Sequence, residues 1–279
     1  MTPGFHPGEL HVQQRAGERE RAQLVGRMVD RELSPGIREL LAGMRTIAIA
    51  TIDHDGNRWT TLCAGTPGFL AGEARRLRIG SPPPVTDPAR PRAGGLIGAI
   101  GIDMAHRRRV RINGTAEAVT DDEVVIAVRE AYGNCPRYID PTANHLRDHS
   151  AQRRYRPAAV LSPRQRRLIE AAPVFFIGSA HPRFGADASH RGGPPGFVTV
   201  HSGTEISFPD YRGNGLFNTL GNLADHPSVG LVFADPADTM LQVTGRAAIH
   251  WHPRSDTGEP SRTVSVHITK VVESNAPKP

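Results

Sequence analysis

Two stretches of the 279-residue chain carry side chains suited to holding an anion. Segment 187–193 places Asp187, Ser189 and Arg191 at alternate positions, which a β-strand projects to one side. An arginine held there offers the pair of parallel N–H donors that a phosphate favours. Downstream, segment 206–223 reads as a strand ending near Phe208, a turn at 209–213 and a helix opening around Asn214. Leu216, Phe217, Leu220 and Leu223 fall on one side of that helix, and Arg212, Asn214, Asn218 and Thr219 crowd its first turns. Free N–H groups at a helix start attract phosphate. An ordinary turn capped locally by asparagine also accounts for these residues.

Other chemistries are poorly represented. No Ser-His-Asp or paired-carboxylate spacing is persuasive. No P-loop or G-x-G-x-x-G is present, and 95–101 lies in a strand context without the required spacing. His145 and His149 have helical spacing but sit in a stretch that reads as a linker, so no metal site is expected. His190 reads either as a ligand contact or as an ordinary hydrogen-bonded histidine. Cys135, in Asn-Cys-Pro, reads as a buried structural thiol, with a redox role as the alternative.

The elements that position these residues occur twice. The run from Ile47 to Phe69 aligns without a gap to the run from Phe175 to Phe197, at an offset of 128. Further blocks follow in the same order: Gly98 to Asp103 with Gly230 to Asp235, and Val110 to Ala116 with Leu241 to Ala247. Val124 to Glu130 then resembles Val264 to Lys270. Ser34-Pro35 and Ser162-Pro163 both read as an N-cap followed by proline at the first helical position. Each copy is otherwise a series of short β-branched or aromatic runs, which predicts a mainly β, barrel-like sheet with short helices. The copies diverge after their fourth strand. The first has a patternless Pro/Gly loop at 81–95, where the second has the donor-rich turn and helix.

Composition sets outer bounds. Gly (29) and Pro (24) are abundant but not periodic, which excludes collagen. No apolar run reaches the roughly 18–20 residues of a membrane helix, and no secretory signal is visible. Two cysteines without a C-x-x-C argue against a disulfide framework or thiolate zinc site, so a cytoplasmic setting is expected. The net charge of +6 is carried almost wholly by arginine, Lys270 and Lys278 being the only lysines. Clusters such as 107–109 and 164–167 lack interleaved aromatics. They read as solvated surface and not as a nucleic-acid groove.

The strings Ala186-Asp-Ala-Ser-His-Arg-Gly-Gly-Pro-Pro-Gly-Phe197, 208–223 and Pro227-Ser-Val-Gly-Leu-Val-Phe233 resemble the pyridoxamine 5'-phosphate oxidase-like split β-barrel family. With Phe5-His-Pro-Gly-Glu-Leu10 and Ala131-Tyr-Gly-Asn-Cys-Pro-Arg-Tyr-Ile139, the chain is similar to two-copy flavin-nucleotide-binding members over about residues 5–273. The resemblance implies two tandem split β-barrels and a bound FMN, often at a seam between barrels. It assigns the phosphate to Ser189, His190 and Arg191 on one strand and to Pro209, Asp210, Asn218 and Thr219 after another. Asn218-Thr219 stands where single-copy oxidases commonly carry Arg-Lys, so Arg191 or Arg212 is expected to supply the missing charge. The vitamin B6 contacts of the oxidase are not recognisable. The implied function is an FMN-dependent oxidoreductase acting on an unidentified small molecule, possible as a homodimer. The alternatives are a flavin carrier without turnover, or the same scaffold holding deazaflavin F420 or haem. The expected organisation is an N-terminal helical arm at 1–33, a first copy at 34–139 and a linker at 140–161. A second copy carrying the cofactor motif at 162–273 and a tail at 274–279 complete it.

Overall fold

The computed structural model describes residues 4–141, 153–253 and 261–275. His145 and His149 lie outside these residues, as does half of the segment read as a linker. An N-terminal arm holds α1 (Pro7–Ala16) and α2 (Arg19–Gly26). The first half then runs α3 (Pro35–Gly43), β1 (Thr46–Ile52), β2 (Arg58–Ala64), β3 (Leu70–Gly72), β4 (Arg76–Ile79), β5 (Leu96–Asp103), β6 (Arg108–Val119) and β7 (Val124–Gly133). The second half comprises β8 (Arg154–Ala158), α4 (Pro163–Ala171), β9 (Val174–His181), β10 (Gly185–Gly192), β11 (Thr199–Val200) and β12 (Glu205–Pro209). It continues through α5 (Asn218–Asp225), β13 (Ser228–Ala234), β14 (Thr239–Trp251) and β15 (Arg262–Asn275).

The duplication is written into the topology. One sheet has the order β2-β1-β5-β6-β7-β4-β3 and the other β10-β9-β13-β14-β15-β12-β11, which is the same order with equivalent strands exchanged. Helices α3 and α4 start alike. Ser34 Oγ accepts the Ile37 N–H at 3.3 Å, and Ser162 Oγ accepts the Gln165 N–H at 3.3 Å. Both long hairpins also break register at a glycine, between Asn113 and Gly114 and between Thr244 and Gly245. A Cβ on Gly114 would lie 2.1 Å from the Ala127 carbonyl, and one on Gly245 2.2 Å from that of His267, so each bulge requires its glycine. Each half encloses its own core, the first around Ile47, Ile49, Leu77 and Ile126, the second around Phe175, Phe208, Phe233 and Val264.

The halves meet reciprocally. Strand β10 lies against β5 and β6, while its counterpart β2 lies against β13 and β14. Ala48, Ala50, Ile100, Phe176, Ala188, Val232 and Met240 form an apolar cluster across this seam. Equivalent glycines permit the close approach: a Cβ on Gly98 would meet the Asp187 backbone at 2.5 Å, and one on Gly230 the Arg58 carbonyl at 2.6 Å. Gly98→Ala is therefore expected to cost about 1–3 kcal/mol by overpacking, measured as a lowered denaturant midpoint, although Ala is intrinsically the better residue in a strand interior.

Two local features depart from the sequence reading. The helix after β12 begins at Asn218, four residues later than its pattern indicates. Asn214 instead folds a tight turn, its Oδ1 accepting the Leu216 N–H at 3.0 Å, and Phe217 sits at φ 62°. Within the stretch read as a linker, β8 forms an edge strand on β15, and Arg153 is buried beside it, donating to Ser274.

Candidate ligand-binding site

The seam between β6 of the first half and β10 of the second holds a buried ion pair and several further polar side chains. On β6, Arg109, Arg111 and Asn113 alternate and so share one side. On β10, Asp187, Ser189 and Arg191 do the same. Arg111 joins the two strands. It pairs with Asp187 Oδ1 at 3.0 Å and donates to Ser189 Oγ at 2.7 Å, Tyr132 Oη at 3.0 Å and Asn218 Oδ1 at 3.2 Å. Burial alone would depress this guanidinium, but the Asp187 carboxylate holds its pKa above the ordinary value. The remaining Asp187 oxygen accepts from Thr219 Oγ1 at 2.7 Å.

The start of α5 is thus already engaged. Asn218 accepts from Tyr132 Oη at 2.9 Å and donates to Glu9 of the arm at 2.8 Å, while Thr219 is held by Asp187. The arm reaches this point because α1 and α5 cross at two glycines. A Cβ on Gly8 would lie 2.3 Å from the Gly221 carbonyl, and one on Gly221 2.5 Å from Glu9 Cγ. Glu9 also closes the capping box of α1, accepting the His6 N–H at 2.9 Å. Burial, then the neighbouring carboxyls Glu130 and Asp187, push the Glu9 pKa up to about 8. A carboxyl raised in the folded state gives its full stability below the unfolded value near 4.5. That contribution is lost as pH rises towards 8. Glu9→Gln, which preserves the capping box, is therefore expected to raise Tm at pH 9 and leave it nearly unchanged at pH 4.

Arg109 is different in kind. It donates to the carbonyl oxygens of Cys135 at 2.6 Å and Arg137 at 3.3 Å and bonds His190 Nδ1 at 2.9 Å. It has no carboxylate partner among the described residues. Burial, then Arg111 and Arg191, bring its pKa down to about 10. Because Arg109 donates, His190 Nδ1 accepts and the ring proton lies on Nε2. His190 is buried, and burial with Arg109 and Arg191 holds it well below the usual imidazole range, hence neutral. Arg191 faces Asp210 at 3.4 Å, but Asp210 also receives Arg262 at 2.9 Å.

These groups wall a cavity of about 70 Å3, together with Asn134, Ser189, Pro209, Asn214 and the stacked pair Tyr138 and Tyr211, whose rings are 5.2 Å apart. Five of its side chains carry a buried nitrogen with no partner among the described residues: Arg109 Nε, Arg111 Nε, Asn134 Nδ2, His190 Nε2 and Arg191 Nε. With the ring proton on Nε2, all five are donors. A contiguous hollow of about 50 Å3 shares Arg111, Ser189, Arg191 and Asn214 and extends to Asp210, Asn218 and Thr219. Of the described residues that the sequence assigned to the cofactor, Arg212 stands apart. It is exposed and faces Glu18 of the arm at 3.6 Å.

Arg109, Arg111 and Tyr132 were not among the sequence candidates. Arg109 ends a basic cluster that reads as solvated surface, yet it turns inward while Arg107 and Arg108 remain exposed. The signal lay in the duplication: strand alignment sets Arg109 and Arg111 against Met240 and Gln242 of the second copy. Two arginines replacing an apolar and a neutral residue on an inward-facing side mark where the copies have diverged in chemistry.

The equivalent place in the other half is closed. There Thr61 and Gln242 occupy the positions of Ser189 and Arg111. Asp87 from the proline-rich loop accepts from Thr61 Oγ1 at 2.6 Å, Gln242 Nε2 at 2.9 Å, Tyr155 Oη at 3.1 Å and the Ala89 N–H at 2.8 Å. Trp59, Ala89 and Val272 pack around it.

Residues 161–278 match the family model described as pyridoxamine 5'-phosphate oxidase. No curated protein matches the chain. Among solved structures, a candidate pyridoxamine 5'-phosphate oxidase from Lactobacillus delbrueckii is 18% identical, with a TM-score of 0.34, over 40% of this chain and 93% of that one. A FAD-binding protein from Mesorhizobium loti is 10% identical, with a TM-score of 0.30, over 45% of this chain and 100% of that one. An F420 reductase is 14% identical, with a TM-score of 0.28, over 37% of this chain and 92% of that one.

Proposed function

Residues 161–278 place this chain in the pyridoxamine 5'-phosphate oxidase-like family, and from that premise we propose that it is an FMN-binding flavoprotein serving as an oxidoreductase. The observation that carries the reading is the wall of five partnerless donors, three of them on arginines, beside a guanidinium with no carboxylate of its own. A buried donor left unpaired costs about 1–3 kcal/mol, so such a wall is built to receive an acceptor-rich anion. A phosphate monoester satisfies it, and fits the residues better than a neutral ligand would.

In this reading Arg109 and Arg191 hold the phosphate, with His190 donating through Nε2 and Ser189 and Asn214 completing the cradle. Arg111 acts as a strut. Bound to Asp187, Ser189, Tyr132 and Asn218, it fixes β6 against β10 and contributes field without moving. Asn218 and Thr219 position α5 through Glu9 and Asp187, and contact the ligand less than the family pattern suggests. The stacked Tyr138 and Tyr211 offer a flat apolar surface beside the donors. When bound, the flavin supplies the electron transfer. The protein supplies orientation, charge neutralisation and exclusion of water.

The test is a titration of the purified chain with FMN, riboflavin and F420, together with the mass of any cofactor extracted from it. The reading expects a yellow protein that takes up one FMN per chain and prefers FMN to riboflavin. Colourless protein that ignores FMN overturns it, and so does equal affinity for riboflavin. Reduction of the bound flavin by NAD(P)H, followed by its reoxidation, separates an oxidoreductase from a carrier.

A further inference from the structure

Behind Arg111 and Asn218 lies a larger cavity of about 560 Å3, within the range of small-molecule sites. The arm supplies Phe5, His6 and Glu9, while Asn113, Glu130 and Asp187 come from β6, β7 and β10. Its polarity is opposite to that of the first cavity. Asp187 is neutralised by Arg111 at 3.0 Å. Glu9 and Glu130 have no such cationic side chain against them. Glu9 meets the Asn218 amide at 2.8 Å, the His6 N–H at 2.9 Å and the His6 ring at 4.0 Å, and Glu130 the Asn113 amide at 3.2 Å, with Arg129 and Arg111 acting on it from beyond ion-pair distance. Neither pairs with an arginine or lysine among the described residues. Asn113 is 5% exposed, and its Oδ1 has no donor. One cavity therefore presents arginines lacking an anion. The other, across the Arg111–Asp187 pair, presents carboxyls and an amide oxygen lacking a cation.

We propose that this larger cavity binds an organic cation, with a primary ammonium or guanidinium group held between Glu9, Glu130 and the Asn113 side-chain oxygen. Three or more N–H donors on a compact positive group match the acceptors available there. Of the arginines at the mouth, Arg75 is taken by Glu32 at 2.8 Å, and Arg31 and Arg129 are exposed, where solvent and salt screen them. Of the inner carboxyls Glu9 is buried and Glu130 half-buried, and both act at short range. The groups facing Glu9 are His6 on its own element, Glu130 from β7, Asp187 with Arg111 from β10 and β6, and Asn218 from α5. Asp225 of α5 stands behind His6 at 3.7 Å. His6 is pushed down to about 4 and stays neutral near pH 7. An arriving cation ionises Glu9, so binding releases a proton near neutral pH and tightens as pH rises towards 8.

The experiment is calorimetric titration of the full chain with agmatine, which carries both head groups, and with butyrate and n-butanol as anionic and neutral controls. Runs at pH 7 in PIPES and in HEPES count the proton released. The expected result is agmatine binding with proton release and no binding of either control. Glu9→Gln and Glu130→Gln are each expected to weaken agmatine by about tenfold or more, the size of a lost charge-assisted bond, and Glu9→Gln also removes the proton release. Absence of agmatine binding overturns the proposal, as does unchanged affinity in the Glu9→Gln/Glu130→Gln double variant. Arg109→Ala separates this inference from the flavin reading. It removes a cation from the other cavity, and agmatine affinity is expected to survive it whether or not FMN binds.

Discussion

On the flavin reading, Arg109→Ala is expected to lower FMN affinity by about 10- to 100-fold while leaving riboflavin within a few-fold of its original value. Each hydrogen bond to a charged group contributes roughly 1.5–3 kcal/mol, and 1.4 kcal/mol is tenfold in affinity. Adding Arg191→Ala is expected to take the loss for FMN to roughly a thousandfold, because the two guanidiniums would approach the same anion from different strands. Arg109 has no acid of its own among the described residues and is held below its ordinary pKa by burial and by two like charges. Its removal is therefore expected to leave Tm of the ligand-free protein within a few degrees, while most of the stabilisation by added FMN disappears. Arg109→Lys keeps a charge but loses the planar fork, and its affinity falls between the two. FMN and riboflavin titrations of the variants, with thermal melts at each point, check these expectations. Equal losses for both flavins would show that the phosphate is held elsewhere.

That Arg109 escaped the sequence reading follows from how a strand discloses itself. The fold was legible because it is written twice. The Ser-Pro helix starts at 34–35 and 162–163, the matched turns and the blocks at constant offset each repeat a local rule, and both sheets came out in the same strand order. Ser189, Arg191 and Asn214 were legible because alternation and turn chemistry are local properties. Arg109 and Arg111 were not, because their role comes from β10 of the other half lying across β6. Nothing within ten residues of Arg109 reveals that contact. The same holds for Glu9, whose capping-box role is local but whose bond to Asn218 spans more than two hundred residues. The engagement of Asn218 and Thr219 by Asp187 and Glu9 likewise depends on helices meeting at Gly8 and Gly221, a tertiary event.

The reciprocal seam leads to the last expectation, that the chain takes up one flavin and not two. Pseudo-twofold packing of duplicated barrels creates two equivalent clefts, and on architecture alone both are candidate sites. The second has lost the charge: Met240 and Gln242 stand where Arg109 and Arg111 stand in the first. It has also lost the space, because the loop at 81–95 drives Asp87 into it. Asp87 is 4% exposed and accepts from Thr61, Gln242, Tyr155 and Ala89. Burial raises its pKa against the opposing effect of those bonds, so this carboxyl sits where an anionic ligand would find neither a cation nor room. Asp87→Ala does not open a working site. It strands three side-chain donors beside Trp59, Ala89 and Val272, at roughly 1–3 kcal/mol for each buried group left unpaired, and about 3–9 kcal/mol in all. The loss is read as a lowered denaturant midpoint with the slope unchanged. Flavin stoichiometry by absorbance against protein concentration is expected at one per chain in the natural sequence. Two per chain, or an Asp87→Ala variant as stable as its parent, would mean that the loop is not the plug its hydrogen bonds describe.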